Sequence, residues 1–168
     1  MDDYNDRENS RAPELEDLVN LCRQLNEQGA RYVLIGGFAV ILHGAARTTK
    51  DIDLLVDPSP ENIHKVKKAM AYLSDNAASL IEDDEVSRYS VVRIGDEYVV
   101  DLLASACGVT LDEASQSLQW VELDGVRIPL VDKKTLIRTK DTIRPSDKMD
   151  TNYLLRIIEE EEREKSKK

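Results

Sequence analysis

The apolar positions of the chain fall into runs with two periods. Residues 33–35 form a short continuous run, Val-Leu-Ile, that stops at Gly36-Gly37; residues 38–42 form a second. Past the polar stretch 47–50, apolar residues resume at Ile52 and Leu54-Leu55-Val56, with Asp51 and Asp53 interleaved. This order predicts strand, glycine turn, a helix starting at Phe38, then strand. Ahead of it, Leu15, Leu18, Val19, Cys22 and Leu25 recur at helical spacing. Pro13 is expected at the first position of that helix, with Glu14, Glu16 and Asp17 in its first turn and Gly29 at its C-cap.

Downstream, Asp57-Pro58 ends a strand, and Ser59 and Pro60 read as N-cap and first helical residue. Ile63, Val66, Met70 and Leu73 give that helix its buried stripe. His64 lies off the stripe and is expected to be solvated; His43 is expected to be structural or a bystander. Residues 74–87 are polar and acidic and predict a loop with a short strand at 79–81. Strands at 89–94 and 98–103 follow, joined by Gly95-Asp96, with Asp96 and Glu97 as turn residues. Thr110 and Glu113 predict a capped helix start. Residues 120–123 and 126–131 predict a hairpin about Asp124-Gly125. A helix at 132–141, a turn at 144–147 and a last helix through 158 complete the pattern. The expected division is a disordered 1–12, a core at 13–131, a helical C-terminal part of the same domain at 132–158, and a charged tail at 159–168, with no internal repeat.

Composition narrows the class. The chain has 168 residues, 41% hydrophobic and 33% charged, which suits a soluble domain with a real core. The apolar stretch 32–42 is too short for a membrane span, and the chain begins without a basic-then-apolar leader, so a cytoplasmic protein is expected. Cys22 and Cys107 fit no metal-ligand spacing and read as reduced thiols. The net charge of −10 argues against a surface that coats nucleic acid. Residues 123–150 depart from this, with seven basic against five acidic side chains, among them Arg127, Lys133, Lys134, Arg138, Lys140, Arg144 and Lys148.

Two features carry candidate chemistry. Asp51 and Asp53 sit two apart on a strand, so both project to one face. Like charges there repel unless compensated, and a hard divalent cation with oxygen ligands is the usual compensation. Gly36 and Gly37 lack Cβ atoms and let a phosphate approach the backbone, at what is expected to be a helix N-terminus. Asp101 is a third anomaly, a carboxylate inside the apolar strand Tyr98-Val99-Val100-Asp101-Leu102-Leu103. Such a group should be paired, metal-bound or at an edge.

Together, Gly36-Gly37, the interval 38–50, and Asp51-Ile52-Asp53-Leu54 resemble the signature of the DNA polymerase beta nucleotidyltransferase superfamily. The likeness is strongest to minimal nucleotidyltransferases of the AbiEii toxin type. Arg47-Thr48-Thr49-Lys50-Asp51-Ile52-Asp53 resembles their Arg-x-Thr-x-Asp-hydrophobic-Asp motif, and Asp101 their later strand acid. Lys140 resembles their helix lysine, and Arg144-Pro145-Ser146-Asp147 with Asp150 their C-terminal motif. Ser146 stands where lysine is common, and Gly37 where some relatives have serine.

The resemblance implies an α+β nucleotidyltransferase fold, a mixed sheet flanked by helices with a short helical C-terminal extension. It implies metal-dependent transfer of a nucleoside monophosphate from an NTP to a hydroxyl. Asp51, Asp53 and Asp101 would be the catalytic and metal-binding acids, with Mg²⁺ or Mn²⁺. Gly36, Gly37, Arg47, Lys140 and Asp147 would bind the nucleotide. An antitoxin is an implied partner. The acceptor stays open between an RNA 3′ end such as tRNA, which the 123–150 segment slightly favours, and a protein hydroxyl, which the overall charge favours. A non-catalytic nucleotide- or partner-binding module and a purely structural cation-stabilised sheet are the rival readings.

Overall fold

A computed structural model describes residues 10–168. Its centre is a six-stranded mixed sheet in the order β3-β4-β2-β1-β8-β7. The central strands are β1 (Tyr32–Ile35) and β2 (Asp51–Val56), antiparallel to one another. Parallel neighbours flank them: β4 (Val99–Leu103) beside β2 and β8 (Val126–Val131) beside β1. The edges are β3 (Val92–Gly95) and β7 (Leu118–Leu123), each antiparallel to its neighbour. β1 is buried along its whole length, as a short continuous apolar run requires. The expected α+β class and mixed, helix-flanked sheet hold.

The helices cover this sheet with the stripes read from the sequence. In α1 (Leu15–Glu27), Leu18, Val19, Leu21, Cys22 and Leu25 are buried, while Leu15 is half exposed. Burial pushes the Cys22 thiol up to about 12, so it is an inert core group. Pro13 is not the first helical residue. Glu14 is the N-cap, locked by a reciprocal capping box with Asp17, and Gly29 follows the helix at φ +68°. In α3 (Pro60–Ala69), Ser59 caps through Asn62 N, as expected. His64 is exposed, and half-buried His43 is held by Val131 O at 2.8 Å. Residues 10–12 lie along the β3–β4 turn, with Ser10 Oγ donating to Asp96 O and Arg11 N to Glu97 O. The rest of the segment expected to be disordered, 1–9, lies outside the described residues.

Two further local expectations need correction, and one element was not foreseen. No strand forms at 79–81; a 3₁₀ turn (Ala77–Leu80) and a short α4 (Glu85–Arg88) take its place. The cause is Asp96. It is buried, and its carboxylate accepts from Asp75 N, Ala77 N and Glu97 N, which folds the loop back over the hairpin. A two-stranded β5–β6 ribbon (Ser105–Ala106, Val109–Thr110) forms unforeseen about Cys107-Gly108, both at positive φ. It leads into α5 (Leu111–Ala114), capped by Thr110 as expected. After the β7–β8 hairpin, α6 spans Lys133–Thr139. Residues 145–147 are not a turn but the first turn of α7 (Pro145–Ser166), with Pro145 at its start. The charged 159–166 segment continues this helix to Ser166.

Candidate active site

Strand pairing brings the three acids together. Asp53 is the register partner of Asp101 across the parallel β2–β4 pair, so their side chains stand side by side on one face. Asp51 lies two residues earlier on that face. One oxygen from each of Asp51, Asp53 and Asp101 falls within 4.8 Å of the others. Burial, then the charges of Asp51 and Asp101, push the Asp53 carboxyl well above the usual carboxylate range; Lys140 works against them. Three hard oxygen donors in one small volume, one of them the buried Asp101 carboxyl, fit a divalent cation.

The glycines are required by contact with this cluster. Gly36 has φ +73°, and a Cβ built on it would lie 2.0 Å from Asp53 Oδ2. A Cβ on Gly37 would lie 2.5 Å from Thr49 Oγ1 and 3.3 Å from an Arg47 guanidinium nitrogen. The backbone therefore runs directly against the acids. The helix α2 (Gly36–Leu42) begins at the first glycine rather than at Phe38. At seven residues it is short, so close approach at the glycines matters more here than any helix dipole.

The C-terminal elements reach the same place. Arg47 donates to both carboxylate oxygens of Asp150 on α7. Lys140 Nζ, just past α6, lies 2.9 Å from Asp150 Oδ2 and 3.5 Å from Asp147 Oδ1. Asp147 also accepts from the Thr142 hydroxyl and from Arg144 Nε. Burial alone would raise the Asp147 carboxyl, but Thr142, Lys140 and Arg144 together hold it below the usual range. Lys140, Asp147 and Asp150 are all buried, so none of these charges can be removed without leaving another uncompensated.

Sequence reading missed Arg93. It is the register partner of Asp101 across the antiparallel β3–β4 pair. Its Nε and Nη2 each donate to one Asp101 oxygen at 2.9 Å, and Nη2 lies 3.6 Å from Asp51 Oδ2. The signal was present. An arginine inside Val91-Val92-Arg93-Ile94 is as anomalous as Asp101 in its own strand, and a hairpin places the two opposite one another. Asp150, noted as part of a motif but not as a site residue, is the hub of the Arg47–Lys140 network.

The family described as "Nucleotidyl transferase AbiEii toxin, Type IV TA system" matches residues 20–101. The chain is similar to AbiEii nucleotidyltransferases. A solved structure of a candidate nucleotidyltransferase from Thermotoga maritima shares the fold, with 14% identity over 90% of each chain and a TM-score of 0.50. A comparison with curated proteins finds no match. The AbiEii likeness and the shared fold support a nucleotidyltransferase. The AbiEii segment contains Gly36, Gly37, Arg47, Asp51, Asp53, Arg93 and Asp101, whereas Lys140, Asp147 and Asp150 lie beyond it.

Beside this AbiEii-like centre lies a cleft of about 520 Å³. Arg138, Lys140, Thr142, Lys148 and Asn152 line it. The basic 123–150 segment is thereby resolved into parts. Arg127 stacks on Trp120 with its guanidinium 4.5 Å from the ring centroid, and Lys133 pairs with Glu161 at 2.9 Å. Arg138, paired with Glu113, and Lys148 are exposed cations at the cleft, which exposed Asp141 also lines. Among the described residues, no helix is long and apolar enough to cross a membrane.

Proposed function

We propose that the chain transfers a nucleoside monophosphate from an NTP to a hydroxyl acceptor, with Mg²⁺ or Mn²⁺ held by Asp51, Asp53 and Asp101. The observation that carries this is the packing of Gly36 against Asp53 within the three-acid cluster, which puts the phosphate approach and the cation ligands in one place. A bound divalent cation supplies charge neutralisation at the transferring phosphoryl group and activates the attacking hydroxyl.

The chain's own residues do the rest. The backbone at Gly36 and Gly37 admits the triphosphate next to the acids. Lys140 and Arg47, fixed by Asp150, set positive charge along its path, and Asp147 holds Lys140 in place. A carboxylate oxygen of Asp101 takes the proton of the attacking hydroxyl. The hydroxyl oxygen bonds to the α-phosphorus, the bridge to the β-phosphate breaks, and pyrophosphate leaves. The cleft beside Lys140, about 520 Å³, is within the range of small-ligand sites and can take the nucleoside or the acceptor end.

An RNA 3′ end is the favoured acceptor, because Lys148 and Arg138, the latter paired with Glu113, put cations at the cleft of a chain whose net charge is −10. An antitoxin would then be the physiological partner and the cytoplasm the setting. The test is incubation with each α-³²P-labelled NTP, Mn²⁺, total tRNA and a cell lysate. Label on RNA that falls steeply from 50 to 200 mM salt is expected (assay range chosen for counterion release). Label on a protein band alone would favour the protein acceptor, and no label anywhere a non-catalytic module.

A further inference from the structure

Asp101 already has a cation. The Arg93 fork spans both of its oxygens at 2.9 Å, and one arm of the same guanidinium reaches toward Asp51 at 3.6 Å. Both partners are largely withdrawn from solvent, with the side chains of Arg93 and Asp101 exposed to 23% and 6%. Paired guanidinium and carboxylate in such a setting bind one another through two charge-assisted hydrogen bonds. Arg93, Asp101 and Asp53 lie in one row across β3, β4 and β2, so the guanidinium is the end member of the acid cluster itself.

This changes the charge available to incoming ions. The Asp51, Asp53 and Asp101 carboxylates together with Arg93 leave room for one divalent cation before the cluster becomes net positive. The first ion is favoured at Asp51 and Asp53, outside the two-pronged grip on Asp101, although Arg93 Nη2 also stands 3.6 Å from Asp51 Oδ2. A second, at Asp53 and Asp101, would meet a fixed positive charge at salt-bridge range and an acid whose oxygens are already engaged. A triphosphate alters the balance, because a guanidinium binds phosphate oxygens through the same bidentate geometry as carboxylate.

Resting on the nucleotidyltransferase reading above, we propose that Arg93 is an internal counter-ion that reserves Asp101. Without nucleotide the site takes one divalent cation, and a second enters only when the triphosphate competes with Asp101 for Arg93. Arg93 is thus a positioning residue for Asp101 and makes full loading of the site conditional on substrate.

The test is a Mn²⁺ titration without nucleotide, followed by calorimetry and by the electron paramagnetic resonance of free and bound Mn²⁺, on the full chain. Wild type should bind a single ion, and a non-hydrolysable NTP should add a second. Arg93→Gln should bind two ions without nucleotide, the second roughly tenfold or more tighter than in wild type, as expected for removal of a unit charge at this range. Arg93→Lys keeps the charge but loses the fork, so its second ion should bind with intermediate affinity; it also serves where Arg93→Gln melts too low to titrate. Two ions bound by wild type without nucleotide, or an isotherm unchanged by both substitutions, overturns the role of Arg93 and leaves the nucleotidyltransferase reading standing. Absence of Mn²⁺ binding in wild type and variants alike overturns both.

Discussion

Arg47 and Asp150, 103 residues apart in sequence, form a hydrogen-bonded ion pair in which one guanidinium nitrogen serves both carboxylate oxygens. The pair ties the segment between the glycine turn and β2 to the first turns of α7. Through Asp150 it also ties Arg47 to Lys140. The proposed phosphate side of the site is therefore built by the C-terminal helix as much as by the strand and helix unit that carries the acids.

Lys140 should prove structural as well as functional. It is 7% exposed and faces two buried carboxylates, so Lys140→Ala leaves Asp147 and Asp150 without a compensating charge. The expected loss is about 3–5 kcal/mol. Lys133, paired with half-exposed Glu161, should cost no more than about 1 kcal/mol when replaced by Ala. Urea denaturation of the two variants checks this; equal midpoints would contradict it. Lys140→Arg, which keeps the charge, should fold and separate the NTP affinity from the stability.

Gly36→Ala should be severe. The site needs φ +73° and leaves 2.0 Å between a new Cβ and Asp53 Oδ2. Backbone strain alone costs about 1–3 kcal/mol. Relief of the clash must push Asp53 away from Asp51 and Asp101, so Mn²⁺ affinity should fall together with stability. Gly29→Ala is the control. It shares a positive φ but meets nothing within 4 Å, and should lose stability without touching metal binding.

Asp53→Asn should raise the melting temperature in the absence of metal and abolish the rise that Mn²⁺ gives wild type. Burial and two neighbouring acids make the charged Asp53 unfavourable, and the amide removes that charge at constant shape. The sign with pH follows. A carboxyl whose folded pKa is raised favours folding while protonated, and that contribution is lost as pH climbs through the raised value. In wild type Mn²⁺ displaces the proton, so its affinity should weaken as pH falls through the same region. Calorimetric titration at several pH values and differential scanning fluorimetry read both effects. A variant that melts lower without metal would count against the strained cluster.

Asp101→Asn should leave NTP binding in place and lower turnover by roughly two to three powers of ten. It also halves the charge pairing of Arg93, so a stability loss of about 1–3 kcal/mol should accompany it. Single-turnover transfer measured beside equilibrium nucleotide binding distinguishes the two. Unchanged turnover would remove Asp101 from the chemistry.

The parts of this arrangement visible in sequence were those with a local signature. Asp51 and Asp53 share a face by strand alternation, Asp101 interrupts an apolar run, and Gly36-Gly37 marks a turn, so each could be read from its neighbours alone. What escaped depended on partners distant in sequence. Arg93 means little until the β3–β4 register sets it opposite Asp101. Asp96 reads as a turn residue until Asp75 and Ala77 bring their N–H groups to it, and that capture is why a 3₁₀ turn replaced the expected strand. Asp150 becomes a hub only when α7 packs beside Arg47.

The position of β1 bears on how the protein is made. β1 lies between β2 and β8, and β8 and α7 both follow the three acids in sequence. A nascent chain that has emerged only through residue 101 has both glycines and all three acids. Its β1 is nevertheless a bare edge, and its Arg47 has no Asp150. The proposed site would therefore be complete only with the β8 pairing and the docking of α7, and a product interrupted after residue 101 would carry the whole acid set without either.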